Sequence, residues 1–197
     1  MNALQKERIK TTFKYTWPIY IISSILAIVL MIFTFKVTHK EPAYKTITLF
    51  VSGEVKDEKK LKDDVVSKYQ DRGLRSLSYI EADPQDGYYY TKLTVPGFNS
   101  ADILIIPSSY LEKFKISDIA IEFDENLINY YEGCTFYSQE NVKYGVKIDT
   151  SKVNEYMTLA DDCYMFLNVN SGNIGEYIKK PNKEHDTALR IVKDWGI

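Results

Sequence analysis

Histidine and cysteine are scarce in this chain of 197 residues. It holds two of each, His39, His185, Cys134 and Cys163. A structural zinc site needs about four such ligands at close spacing, and no C-x-x-C pair is present, so zinc is not expected. Nor does the sequence contain a P-loop, a G-x-G-x-x-G turn, a G-x-S-x-G elbow or an EF-hand loop. Each of these absences removes a class: nucleotide cradle, dinucleotide fold, serine hydrolase elbow, calcium loop. No cofactor is expected, and no catalytic residue is nominated. His185 lies in KKPNKEHD and reads as a solvated surface histidine.

Charge is divided unevenly. Residues 1–40 carry +5 and residues 41–197 carry −7. Nucleic-acid affinity comes chiefly from clustered Lys and Arg, so the acidic part of the chain is not expected to bind it. The acidic pairs Asp83/Asp86, Asp124/Glu125 and Asp161/Asp162 lie beside turn signals. Acid–base chemistry needs two carboxylates in different environments across a cleft, which adjacency in sequence does not supply. They read as caps and turns, and the chain is not expected to be an enzyme.

What the sequence does contain is one long uncharged run. Trp17–Phe35 reads WPIYIISSILAIVLMIFTF. At about 1.5 Å per residue it covers roughly 28 Å, close to the hydrocarbon thickness of a bilayer. Pro18 falls in the first turn of that span, where its missing N–H costs nothing. Ser23, Ser24 and Thr34 can hydrogen-bond to their own helix. Tyr15, Trp17 and Tyr20 suit the membrane interface. A cleaved signal peptide is the competing reading, but the run exceeds the usual 7–15 residues and no A-x-A site follows it. The expected organisation is a cytoplasmic tail (1–16), a transmembrane helix (17–35) in contact with the lipid bilayer, a linker (36–44) and an extracytoplasmic domain (45–197). Lys6, Arg8, Lys10 and Lys14 before the span place the N-terminus in the cytoplasm of a single-pass protein of the cell membrane.

The domain alternates strand and helix signals. KTITLFVSG (Lys45–Gly53) reads as a buried strand, followed by a helix capped by Asp57 and ending near Gly73. LSYIEA is a second strand, and DPQDG a turn. YYYTKLTV (Tyr88–Val95) fits a strand or a short helix. ADILIIP (Ala101–Pro107) is the clearest buried strand, with SSYLEKF behind it as a helix capped by Ser108. IAIEF, KYGVKID and CYMFLNVN are further strands, and His185–Trp195 an amphipathic helix. The pattern implies an α/β sandwich with a mixed, largely parallel sheet. Cys134 and Cys163 are either a disulfide, if the domain lies outside the cell, or two free thiols.

Three segments together suggest a family. ADILIIPSSYLEKF, KYGVKIDT and CYMFLNVNSGNIGEY resemble elements of extracellular solute-binding proteins of the type 2 periplasmic-binding fold, and KTITLFVSG with its helix resembles the first element. Val146–Lys147 departs from that pattern, standing where a proline neighbourhood is expected. The larger departure is that the chain holds one lobe's worth of sequence, whereas hinge closure over a ligand takes two lobes. The resemblance implies a membrane-anchored, single-lobe module that contacts a partner protein, a permease or another envelope protein. Its alternative is small-solute binding at the strand ends, through Ser52 and Gly53 (backbone N–H groups), Ser108 and Tyr110 (hydroxyls) and Tyr144 (ring stacking). An envelope enzyme is the least favoured reading.

Overall fold

The computed structural model describes residues 3–38, 42–160, 162–177 and 185–196. The chain divides into two compact units, 1–41 and 42–197.

The first unit is one helix, α1, Ala3–Thr38. It is longer at both ends than the apolar run, because the flanking Lys, Arg, Gln and Thr residues also sustain a helix. Pro18 therefore lies inside the helix and not in its first turn. Ser23 and Ser24 both donate to the Tyr20 carbonyl, at 3.0 and 2.8 Å, and Thr34 donates to that of Leu30 at 2.7 Å. Over Lys10–Phe35 no residue is buried within the protein, and fourteen large apolar side chains from Trp17 to Phe35 are exposed. Each would gain about 1.5–3 kcal/mol on leaving water. The helix is long and apolar enough to span a membrane.

The second unit is a three-layer α/β sandwich around one open, seven-stranded sheet. In chain order its strands are β1 (Thr46–Val55), β2 (Ser76–Ala82), β3 (Ile103–Pro107), β4 (Phe136–Gln139), β5 (Val142–Lys147), β6 (Met157–Leu159) and β7 (Cys163–Leu167). They lie in the order β2-β1-β3-β7-β5-β4, with β6 paired to the far end of β1. The sheet is mixed but not largely parallel. β1 runs parallel to β2 and β3, while the other four ladders are antiparallel. β4 and β5 form a tight hairpin whose turn residues Glu140 and Asn141 both have positive φ, as such turns require. β7 then returns, reversed, to the slot between β3 and β5.

Alternation along the strands feeds two cores. Ile47, Leu49, Val51, Ile103, Ile105, Met165 and Val146 face α2 (Glu58–Lys68), α6 (Glu125–Tyr130) and α8 (Thr187–Trp195). Phe50, Leu104, Ile106 and Phe166 face a thinner layer made of α3 (Tyr89–Lys92), a π-turn (Leu93–Gly97), α4 (Phe98–Ser100) and α5 (Ser108–Leu111). All five residues of β3 are buried, so both faces of the strand are covered.

Local rules account for most of the elements. Asp57 caps α2 by accepting from the Lys60 N–H at 2.9 Å. Tyr88–Val95 is helical, not extended. Ser108 is the first residue of α5 and not its cap; Pro107, in extended conformation, occupies the cap position without a side-chain bond. The IAIEF segment forms no strand. Ala120 makes a single bridge to Asn168, and the Ile121 N–H donates to the Leu167 carbonyl, because further along β7 both edges are taken by β3 and β5.

Candidate functional site

In open α/β sheets, ligands bind where strand order reverses, outside the carboxyl ends of the strands. Here that point lies between β1 and β3. Ser52 and Gly53 end the core part of β1, and Ser108 and Tyr110 follow β3, so four of the five residues singled out above do converge there. Tyr144 does not. Its level in the sheet is that of Ile103, at the opposite end, and β5 stands three strand spacings from β1, roughly 14 Å.

The crevice is filled by the chain itself. Ser52 is fully buried. Its hydroxyl donates to the Ile105 carbonyl at 2.6 Å and receives the Tyr89 hydroxyl at 2.8 Å. Burial pushes the Tyr89 phenol well above its ordinary range, so it stays a protonated donor. Gly53, with φ of +148°, pairs with Leu159 of β6. A Cβ there would come within 2.0 Å of the Thr158 carbonyl oxygen. Beyond β6, the Ala160 N–H donates to the Ser52 carbonyl, and the Asp162 carbonyl accepts the Ser108 N–H at 2.8 Å. Two hydroxyl-bearing side chains keep some exposure: Ser108 is exposed, and half-buried Tyr110 donates to the Pro84 carbonyl at 2.5 Å under the Lys113 ammonium. Tyr144 is buried, with its hydroxyl 3.4 Å from Glu122.

The two cysteines are free thiols, Cys163 buried and Cys134 half-buried. The register gives the reason. Thr135 bonds to Lys147, and Ile148 bonds to Cys163, so Ile148 stands in the row between the two cysteines. Two strand spacings, about 9–10 Å, exceed the reach of about 7 Å between Cα atoms that a disulfide tolerates.

The larger concavities lie elsewhere, on the α2/α6/α8 face. One of about 560 Å³ is bounded by Leu127, Tyr130, Tyr177 and Asp186. Another of about 440 Å³ lies beside α2 and α8, next to α7 (Thr150–Val153). Its charges are already matched. Lys68 meets Asp194 at 2.8 Å, the Tyr69 hydroxyl donates to the same carboxylate, and Tyr156 donates to Asp64 at 2.9 Å. Burial alone would raise the Asp194 carboxyl, but the Lys68 ammonium and Tyr69 hydroxyl outweigh it and hold the group below the usual range. The acidic pairs noted in the sequence serve turns and caps: Asp83 and Asp86 accept backbone N–H groups two residues on, and Asp124 caps α6. Asp162 meets Lys147 at 3.2 Å, whereas Asp161 lies outside the described residues, as does His39. Among the described residues no group of three or more His, Cys, Asp or Glu is gathered as a metal site requires. His185 is half-buried, not solvated, and stacks flat on Tyr44 with centroids 3.6 Å apart.

Two features escaped the sequence reading. One is a buried polar knot at the amino-terminal edge of the sheet. Asp102 accepts from the Thr48 N–H (2.8 Å), the Ser171 hydroxyl (2.5 Å) and the Asn173 amide (3.1 Å). Asn173 also donates to the Thr46 carbonyl, and Asn168 to those of Phe98 and Ala101. Burial raises the Asp102 carboxyl, and these hydrogen bonds pull it partly back. The other feature is an exposed aromatic strip. Among the described residues of the second unit, the exposed large apolar side chains are Tyr88, Tyr90 and Val95. The signal for it was present: residues 87–101 contain one charge, Lys92. Comparison with protein-family models, curated proteins and solved structures finds no match.

Proposed function

We propose that the chain is a membrane-anchored extracytoplasmic binding module that works by contact with a partner protein in or on the same membrane, as an accessory to a transporter or a signalling complex. The observation that carries this reading is the filled crevice between β1 and β3. Ser52, Gly53 and the Ser108 N–H, which a small solute would use, are engaged with Tyr89, Ile105, β6 and Asp162. What the domain offers outward is surface, and surface suits a macromolecular partner. Support for a solute-binding-like lobe comes from adjacency: the three segments that carry the resemblance form neighbouring strands, β3, β7 and β5. The paired carboxylates of the α2/α8 groove favour a non-enzymatic role.

The test is cross-linking in intact cells, followed by identification of what co-purifies with the full chain. A reproducible membrane-protein partner is expected, together with flat thermal shifts against sugars, amino acids and metals. A concentration-dependent shift with a small solute, and no partner, would overturn the reading in favour of solute binding. External protease should digest the domain on intact cells; full protection would reverse the orientation.

A further inference from the structure

We infer that the strip formed by Tyr88, Tyr90 and Val95 lies in the headgroup layer of the membrane that holds α1, so that the domain rests on the bilayer by its α3/α4 side. The inference goes beyond the partner-binding reading and rests only on α1 spanning a membrane.

Three observations lead to it. The first is concentration of the apolar exposure. Tyr88, Tyr90 and Val95 are 71%, 54% and 59% exposed and fall within eight residues. Tyr90 stacks on Phe114 with centroids 5.4 Å apart, and Phe114 meets Phe98 edge to face at 5.9 Å, so the exposed rings continue into a half-buried aromatic row. Isolated exposed apolar residues need no explanation, but a contiguous strip does.

The second is reach. Thr38 ends α1 and Pro42 opens the second unit. Four residue steps extend at most about 14 Å. The amino-terminal edge of the sheet, where Thr46 starts β1, is thus held close to the membrane. The strip ends at that same edge. Phe98 is tied there through Asn168 and Asn170, and Thr46 through Asn173.

The third is chemistry. Tyrosine rings with lysines at their margin are the composition of the bilayer interface, where a ring sits among headgroups and an ammonium reaches lipid phosphate. Lys92, Lys113 and Lys115 flank the strip; Asp86 lies 3.9 Å from Lys92, and Glu112 is the other acid nearby. Tethering raises the local concentration of membrane, so even a weak interfacial affinity suffices.

The full chain, with Cys134→Ser, is reconstituted alone in phosphatidylglycerol/phosphatidylethanolamine vesicles. Spin labels are placed through Tyr90→Cys, Val95→Cys and, as a control on α2 at the opposite face, Lys59→Cys. Collision with a water-soluble nickel chelate is expected to be at least fivefold lower at 90 and 95 than at 59, while collision with oxygen is higher. Nickel access at 90 and 95 equal to that at 59 overturns the inference. Shielding from both nickel and oxygen also overturns it, because that pattern marks a second copy of the chain on the strip. A chain that fails to co-float with vesicles overturns the spanning helix as well, whereas one that co-floats with a nickel-accessible strip overturns this inference alone.

Discussion

Gly53→Ala separates a structural glycine from a ligand-facing one. Its φ of +148° lies where side-chain-bearing residues are strained, at a cost of about 1–3 kcal/mol. The added methyl would also stand 2.0 Å from the Thr158 carbonyl oxygen, and that neighbour is backbone, which cannot rotate away. Relief requires β6 to move off β1, breaking the pairs Gly53–Leu159, Glu54–Thr158 and Val55–Met157. Met157, now 2% exposed, would be partly uncovered, forfeiting part of the roughly 1.5–3 kcal/mol of its burial. The combined loss is about 3–4 kcal/mol. For a domain of this size each kcal/mol moves Tm by about 2–4 °C, so a fall of roughly 10 °C is expected. The assay is urea unfolding and thermal melting of the full chain in a mild detergent, followed by far-ultraviolet circular dichroism. A loss below about 1 kcal/mol would refute the argument, because it would mean that β6 does not press on Gly53.

Other expectations concern the polar knot and the thiols. Asp102 has a carboxyl raised in the folded state, so its contribution to stability is fully present below the unfolded value near 3.8 and is lost as pH rises through the folded value. Asp102→Asn points an amide at one of three donors and should destabilise by about 1–3 kcal/mol. By the sign above, that penalty should be larger near pH 4 than at pH 7 in urea titrations; a penalty that grows with pH would contradict a raised carboxyl. Thiol titration in denaturant without reductant should find two thiols per chain. In the native protein only Cys134 should react, and slowly, since burial raises its thiol above the usual range; a count of zero would mean a disulfide and a different register for β5.

The sequence made visible whatever depends on neighbours along the chain. The membrane-length run, the β-branched alternation of Ile47–Val51, the doubly covered ILIIP strand and the Asp57 cap all follow from local spacing. What stayed hidden depends on contacts across long separations. Nothing local to Gly53 announces Thr158, and nothing near Asp102 announces Ser171 and Asn173. Tyr88, Tyr89 and Tyr90 are identical in type, yet the helical turn buries the middle one against Ser52 and exposes its neighbours. The reversed insertion of β7 between β3 and β5 turned an expected largely parallel sheet into a mixed one. For the candidate site, sequence spacing brought Ser52, Gly53, Ser108 and Tyr110 to one end of the sheet. It could not show that β6 already covers them, nor that Tyr144 lies at the other end.

The position of β1 also sets how the domain answers a pull. Tension on the anchor would enter the fold at Thr46, at the start of a strand flanked by β2 on one side and by β3 and β6 on the other. Force along that strand loads whole rows of hydrogen bonds in shear at once, instead of opening them one at a time as it would at an edge strand. The fold is therefore mechanically stiff at the point where the membrane holds it, and a tug from a moving partner would reach the domain as displacement of a rigid body before it could unravel the sheet.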